Sequence, residues 1–323
     1  MLLFMGGPLL LITLTEVALR TILGLGNPIL YQADPACGYT LRPNQQTRRL
    51  FARTAINSRG MRCREFTSDK PGGALRLMFL GDSITYGTTQ IDQDDIFVEQ
   101  VRKNLSVEIH RPVEEINASA NAWAISNEYG FLRSRGTYNS DYVVLVLNSG
   151  DLPQPFSSLS DVQGGLTLRP GTAIGELLTR VLMFRKQHSQ QDAGIAVRDD
   201  PSTEQANLRA LTGMVNFARA EGSEFLLVFV PFRRDIAQGV AGSVPQVVKD
   251  WAGSNGVDLL DLTGAVSAYD TKAITLRDGI HFNKRGDRLL AGSIERHLGD
   301  VWFSKNPSAE GGAIKALELG NRQ

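Results

Sequence analysis

The stretch Leu75-Arg76-Leu77-Met78-Phe79-Leu80-Gly81-Asp82-Ser83-Ile84-Thr85-Tyr86-Gly87 sets the architecture of this chain. Leu75 to Leu80 is a run of strand length and mostly apolar, of the kind buried inside a sheet. Gly81 ends it with the glycine of a tight strand-to-helix turn. Ser83 then sits where a helix N-terminus offers free N–H groups.

Outward from that stretch, strand-like and helix-like runs alternate. Asp95 to Leu105 has helical periodicity, and Val113 to Ile116 is a short strand. Ser126 to Leu132 opens a helix with Ser126 at its N-cap position. Tyr142 to Leu147 is a continuous apolar strand, as found where a parallel sheet is covered on both faces. Ile174 to Phe184 and Leu208 to Ala220 read as helices, with Phe225 to Val230 a further buried strand. Val247 to Ala252 is helical, Val257 to Leu260 a strand, and Lys284 to Leu298 the last helix. Strands separated by helix-length segments predict an α/β fold, a doubly wound parallel sheet with helices on both faces. Pro153 to Ala173 is irregular and reads as an insertion.

Four parts follow: an apolar segment at 1–23, an extended preface and linker at 24–73, a catalytic domain at 74–303, and a loose tail at 304–323. The preface mixes short β-type runs with breakers such as Asn57-Ser58-Arg59-Gly60. Its cysteines, Cys37 and Cys63, are the only two in the chain. They could close a disulfide in an oxidising compartment or remain two free thiols, since spacing does not fix geometry.

Lys+Arg balances Asp+Glu at 34 each, so there is no basic excess of the kind that nucleic-acid binding needs. Met1 to Leu14 is almost wholly apolar, and the run continues to Leu19 with Glu16 as its only charge. That length approaches a membrane span of about 20 residues, and Glu16 and Arg20 are spaced to pair at headgroup level. The segment therefore predicts an uncleaved membrane anchor, with a buried core helix as the alternative. Positive charges after the run favour a cytoplasmic domain by the positive-inside rule.

The chemistry lies in two places. A serine hydroxyl at Ser83 can attack a carbonyl while its own N–H stabilises the oxyanion. It needs a general base, and imidazole titrates in the useful range. Asp278-Gly279-Ile280-His281 supplies a histidine and a carboxylate to orient it. The other histidines, His110, His188 and His297, lie among polar or charged neighbours and read as structural. No Cys, His and carboxylate cluster has zinc-ligand spacing, and neither a metal nor an organic cofactor is expected.

Together these blocks resemble the SGNH, or GDSL-type, hydrolases over about residues 75–298. Gly81-Asp82-Ser83 matches that family's first block and Asp278-Gly279-Ile280-His281 its last, followed by Phe282-Asn283. The resemblance implies a flavodoxin-like sheet and a Ser83–His281–Asp278 triad. Asn117 to Ala122 resembles the second block, whose backbone N–H enters the oxyanion hole, with Ala122 at the usual glycine. The third block departs from the family. Asn148-Ser149-Gly150-Asp151 stands where a G-x-N-D pattern is usual, so Gly150 occupies the position of an asparagine donor. Asn148 or Asn121 could substitute from another angle. The preface motifs Gly38-Tyr39, Pro43-Asn44 and Asn57-Ser58-Arg59-Gly60 resemble membrane-anchored bacterial members, some of which act on acylated surface polysaccharides. That resemblance implies an extracytoplasmic, periplasmic domain, against the charge rule, and is given the greater weight.

The expected activity is a serine esterase acting on an acyl ester, such as an acetyl ester of a small molecule or polysaccharide. Two readings stay open beside it: an O-acyltransferase using the same triad, and a non-catalytic carbohydrate-binding protein on this scaffold.

Overall fold

The computed structural model describes residues 2–162, 167–192, 200–232, 236 and 245–306. Its centre is a five-stranded parallel sheet. Strands β5 (Leu75–Gly81), β6 (Val113–Ser119), β7 (Tyr142–Asn148), β8 (Glu224–Val230) and β9 (Asp258–Asp261) lie in the order β6-β5-β7-β8-β9. All four neighbouring pairs are parallel. The five apolar runs read from the sequence are these five strands. Every residue of β5 is buried, as the unbroken hydrophobic pattern requires of a strand covered on both faces.

Two apolar layers sandwich the sheet. Met78, Leu80, Val143 and Leu145 face one, while Leu77, Phe79, Val144 and Val146 face the other. The second layer is closed by α3 (Phe97–Glu108) and the long last helix, α10 (Lys284–Lys305). The first is closed by α4 (Ile125–Arg135), α6 (Pro201–Ala220) and α7 (Gln246–Ser254). The strand order changes direction at β5, so the crevice beyond the carboxyl ends of β5 and β7 is the expected ligand position.

Most helices run beyond the boundaries expected, although α3 starts two residues later, at Phe97 rather than Asp95. Asp200 caps α6 by accepting from the N–H of Ser202 at 2.9 Å, with Pro201 at the first helical position. Ser126 lies inside α4, not at its cap. The N-cap is Ala124, whose N–H donates to Oδ1 of Asn127 at 3.1 Å. Ser304 and Lys305, expected in the tail at 304–323, belong to α10; residues 307–323 lie outside the described residues.

The preface forms two antiparallel hairpins. One joins β1 (Tyr31–Asp34) to β2 (Gly38–Leu41), the other β3 (Gln45–Arg49) to β4 (Ala52–Ile56). They are continuous with the enzyme core, since Tyr39, Leu41, Ile56 and Met61 share one apolar cluster with Met78, Leu80 and Ile116. Arg62 ties the two parts further. Its fully buried guanidinium donates to the carbonyls of Tyr86 at 2.9 Å, Thr88 at 2.5 Å and Ile91 at 2.7 Å. Cys37 and Cys63 are free and buried, so no disulfide links them. Burial pushes both thiols up from the ordinary range.

The apolar segment at 1–23 is where the sequence places a membrane anchor. The segment is helical, α1 (Leu2–Thr21), but among the described residues no helix is long and apolar enough to cross a membrane. Glu16, inside α1, has two sets of partners. It pairs with Arg20 at 2.6 Å, as its spacing predicts. Its carboxylate also accepts the N–H groups of Ala173 and Ile174 at 2.8 and 3.0 Å. These are the first residues of α5 (Ala173–Asp192). The Glu16 carboxylate thus caps the start of α5 from inside α1.

Candidate active site

Ser83 begins a single helical turn, α2 (Ser83–Tyr86), directly after β5. Asp82 caps that turn by accepting from the N–H of Ile84 at 2.8 Å. Gly87 closes it in the left-handed region, at φ 84°, where Ile96 would meet any Cβ. The serine is thereby fixed at the crevice between β5 and β7.

The Asp278–His281 block arrives from the other side on a pinned loop. The N–H of Leu276 donates to the carbonyl of His281 at 2.8 Å, and Thr275 bridges Phe282. Asn283 caps α10 by accepting from Arg285 and Gly286, while its amide donates to the carbonyls of Ala273 and Thr275. Gly279 makes the bend at φ 71°. The sequence motif therefore ends in a cap that holds its own histidine in place.

These two elements bring Nε2 of His281 to 2.8 Å from Oγ of Ser83, across 198 positions of chain. On its other side, Nδ1 lies 2.9 Å from Oδ2 of Asp278. Oδ1 of Asp278 accepts the backbone N–H groups of Ile280 and His281 at 2.9 and 3.0 Å. Burial raises the Asp278 carboxyl, but the His281 hydrogen bond and these two N–H groups outweigh it and hold it down at about 2. Asp278 is thus a carboxylate suited to orienting an imidazole and stabilising its charged form.

The residues expected around an oxyanion are arranged unevenly. Among the described residues the N–H groups of Ser83 and Ala122 make no hydrogen bond within the chain. Ala122 achieves this in the left-handed region, at φ 59°, so alanine occupies a conformation that favours glycine. Its carbonyl is held by Nε2 of Gln154 at 3.0 Å.

The N–H of Gly150 is occupied, donating to Oδ1 of Asn148 at 2.8 Å. Asn148 cannot be the substitute donor, because Nδ2 donates to Asp82 at 3.1 Å and to Asp151 at 2.9 Å. Both of its amide hydrogens are committed. Asn121 lines a cavity against the preface, with Oδ1 buried and without a partner.

Sequence reasoning missed the acidic group behind the serine. Asp82, Asp151 and Glu128 are all buried, and Asn148 joins the first two. Burial, reinforced by their mutual repulsion, pushes Asp151 and Glu128 well above the ordinary carboxyl range, and burial also raises Asp82. Both Glu128 oxygens lack a partner. Among the described residues no group of His, Cys, Asp and Glu is placed to hold a metal ion. The Asn148-x-x-Asp151 spacing was the visible signal, since Asp151 also accepts the N–H of Asn148 at 2.7 Å in a tight turn.

Residues 79–289 match the model of the GDSL-like lipase/acylhydrolase family, well over half of the chain. No curated protein matches the chain in sequence. Solved structures that resemble it include TesA, 18% identical with a TM-score of 0.44, covering 68% of this chain and 95% of that one. The acetylxylan esterase Axe2 from Geobacillus stearothermophilus is 15% identical, TM-score 0.44, with 72% and 97% covered. The esterase EstA from Pseudoalteromonas sp. is 13% identical, TM-score 0.43, with 71% and 98% covered. Likenesses this distant bear on no detail of the site.

Proposed function

The chain belongs to the GDSL-like lipase/acylhydrolase family and is a hydrolase of ester bonds, and on that premise we propose that Ser83, His281 and Asp278 carry out the reaction. Oγ of Ser83 attacks the ester carbonyl as Nε2 of His281 takes its proton. Asp278 holds the imidazole by Nδ1 and stabilises the imidazolium. The tetrahedral oxyanion is held by the N–H groups of Ser83 and Ala122. Collapse breaks the bond to the alcohol oxygen, which leaves with the proton from His281, and an acyl-Ser83 ester remains. Water, deprotonated by His281, then attacks that ester, releasing the acid and restoring the serine.

The observation that carries this reading is the pair of contacts on His281: 2.8 Å to Ser83 and 2.9 Å to Asp278. We read the substrate as an acyl ester, an acetyl ester of a carbohydrate in particular, with support from the preface motifs at Gly38-Tyr39 and Asn57 to Gly60. The preface at 24–73 and the hydrolase domain at 74–303 are read as one working unit.

A fluorophosphonate probe tests the proposal. Peptide mapping is expected to find the label on Ser83, and Ser83→Ala to lose labelling together with at least about 10³-fold of ester turnover. Label on another residue, or near-normal turnover by a folded Ser83→Ala protein, removes Ser83 from the mechanism. Free acetate as the product supports hydrolysis, and acetyl found on an added oligosaccharide supports transfer.

A further inference from the structure

A cavity of about 90 Å³ lies between the preface and the nucleophile's helix, and the mechanism above makes no use of it. A water needs roughly 10–15 Å³ of such space, so several waters or one small polar group would fit. Its polar wall is made by Tyr31, Arg49, Tyr86, Thr89, Asn121 and Arg180.

Three features of that wall point the same way. It contains two guanidiniums and no carboxylate. Behind it, Oε1 of the buried Glu176 takes Arg49 at 2.5 Å and Arg180 at 2.7 Å. One carboxylate against two cations leaves positive charge beside the space. Next, Oη of Tyr86 and Oδ1 of Asn121 are buried without a hydrogen-bond partner, although Tyr86 is only 1% exposed. Native proteins rarely leave such groups unmatched, and an absent ligand is one reason to find them so. The first is a donor suited to an anion, and the second is an acceptor suited to a hydroxyl. Finally, Tyr86 ends the helical turn that Ser83 begins, and Asn121 immediately precedes Ala122. The cavity wall is thus linked through the chain to both the nucleophile's helical turn and the proposed oxyanion donor.

We propose that this cavity binds an acidic sugar. Its carboxylate faces Arg49, Arg180 and the Tyr86 hydroxyl, while one of its hydroxyls donates to Asn121. Placing that sugar on the alcohol side of the ester rests on the esterase reading; the binding itself does not.

Titration calorimetry on the full chain tests this with D-glucuronate against D-glucose. Glucuronate is expected to bind at least tenfold more tightly than glucose. Arg180→Met is the charge variant of choice, because Arg49 also ties the preface at the carbonyl of Gly24. It should weaken glucuronate at least tenfold. Tyr86→Phe should weaken it several-fold while raising the melting temperature of the unliganded protein, since a buried hydroxyl without a partner is removed. A purely structural Tyr86 hydroxyl would lower that temperature instead. Equal binding of the two sugars, no glucuronate binding, or both variants binding as wild type overturns the proposal. Turnover of p-nitrophenyl acetate is followed in parallel. Turnover without glucuronate binding overturns the cavity alone, and binding without turnover overturns the esterase reading alone.

Discussion

The N–H of Gly150 donates to Oδ1 of Asn148 across 2.8 Å, and with that oxygen engaged the two amide hydrogens of Asn148 go to Asp82 and Asp151. The asparagine beside the crevice therefore braces the nucleophile's cap and offers nothing to a substrate oxygen. The proposed oxyanion site thus has two backbone donors, at Ser83 and Ala122, where a side chain would give a third.

Gly150→Asn should supply that third donor. Gly150 does not sit in the left-handed region, and an added Cβ would lie 3.1 Å from the ring of Phe232 and 3.2 Å from Oδ1 of Asn148. The fit is tight and needs a few tenths of an ångström from Phe232. A bond formed mainly in the transition state raises kcat more than it lowers KM. The gain is expected at well under the roughly 10²–10³ lost when an established oxyanion donor is removed. Steady-state kinetics on a variant first shown to keep its melting temperature checks this. An unchanged kcat would mean the two backbone donors suffice.

Ala122→Gly should stabilise the protein. At φ 59° an alanine carries a cost of roughly 1–2 kcal/mol that glycine avoids, partly offset by glycine's greater freedom when unfolded. A net gain of about 0.5–1 kcal/mol is expected, or a rise of a few degrees in melting temperature. A lower melting temperature would show that the methyl group contributes packing that outweighs its strain.

Stability should fall as the medium becomes more alkaline, and Glu128→Gln should blunt that fall. The carboxyls of Asp82, Asp151 and Glu128 are all raised by burial. A raised carboxyl contributes its full stability below the unfolded value, about pH 4, and loses it as pH climbs through the folded value. Glutamine carries no charge to be forced into that site. Melting temperatures measured from pH 4 upward, to within about a unit, should diverge in the variant's favour. Parallel curves would remove Glu128 from the titration.

Arg62→Met should cost at least about 3 kcal/mol, since three carbonyls lose their donor in a buried place. The loss should reach the site, because Tyr86 and Thr88 flank the end of the nucleophile's helix. Chemical denaturation and ester turnover are both expected to drop. A variant with normal stability would mean that water satisfies those carbonyls.

How much of this was legible in advance follows from the reach of each interaction. The strands from Leu75, Tyr142 and Phe225 announce themselves, because burial on both faces leaves an uninterrupted apolar run. Ser83 and His281 were legible because each sits in a short motif at the end of a regular element. The bracing of Asn148 was not, because an amide's choice between solvent, substrate and a neighbouring carboxylate leaves no periodic trace. The second role of Glu16 was hidden for the same reason. Its spacing from Arg20 was correctly read, but its second role depends on Ala173, 157 positions away. Arg62 carries no sequence signal either, because its three carbonyl partners, at Tyr86, Thr88 and Ile91, are gathered only by the fold.

The shared apolar cluster has a consequence for how the chain is made. The hairpins are synthesised before the residues that cover them. Tyr39 and Leu41 wait for Met78 and Ile116, and the N–H of Gly26 waits for Glu176, 150 positions on. Hairpins alone are at best marginally stable, with open edges that invite pairing between chains. Synthesis thus leaves these hairpins uncovered until the sheet is complete, and slow completion leaves nascent chains free to associate through these strands.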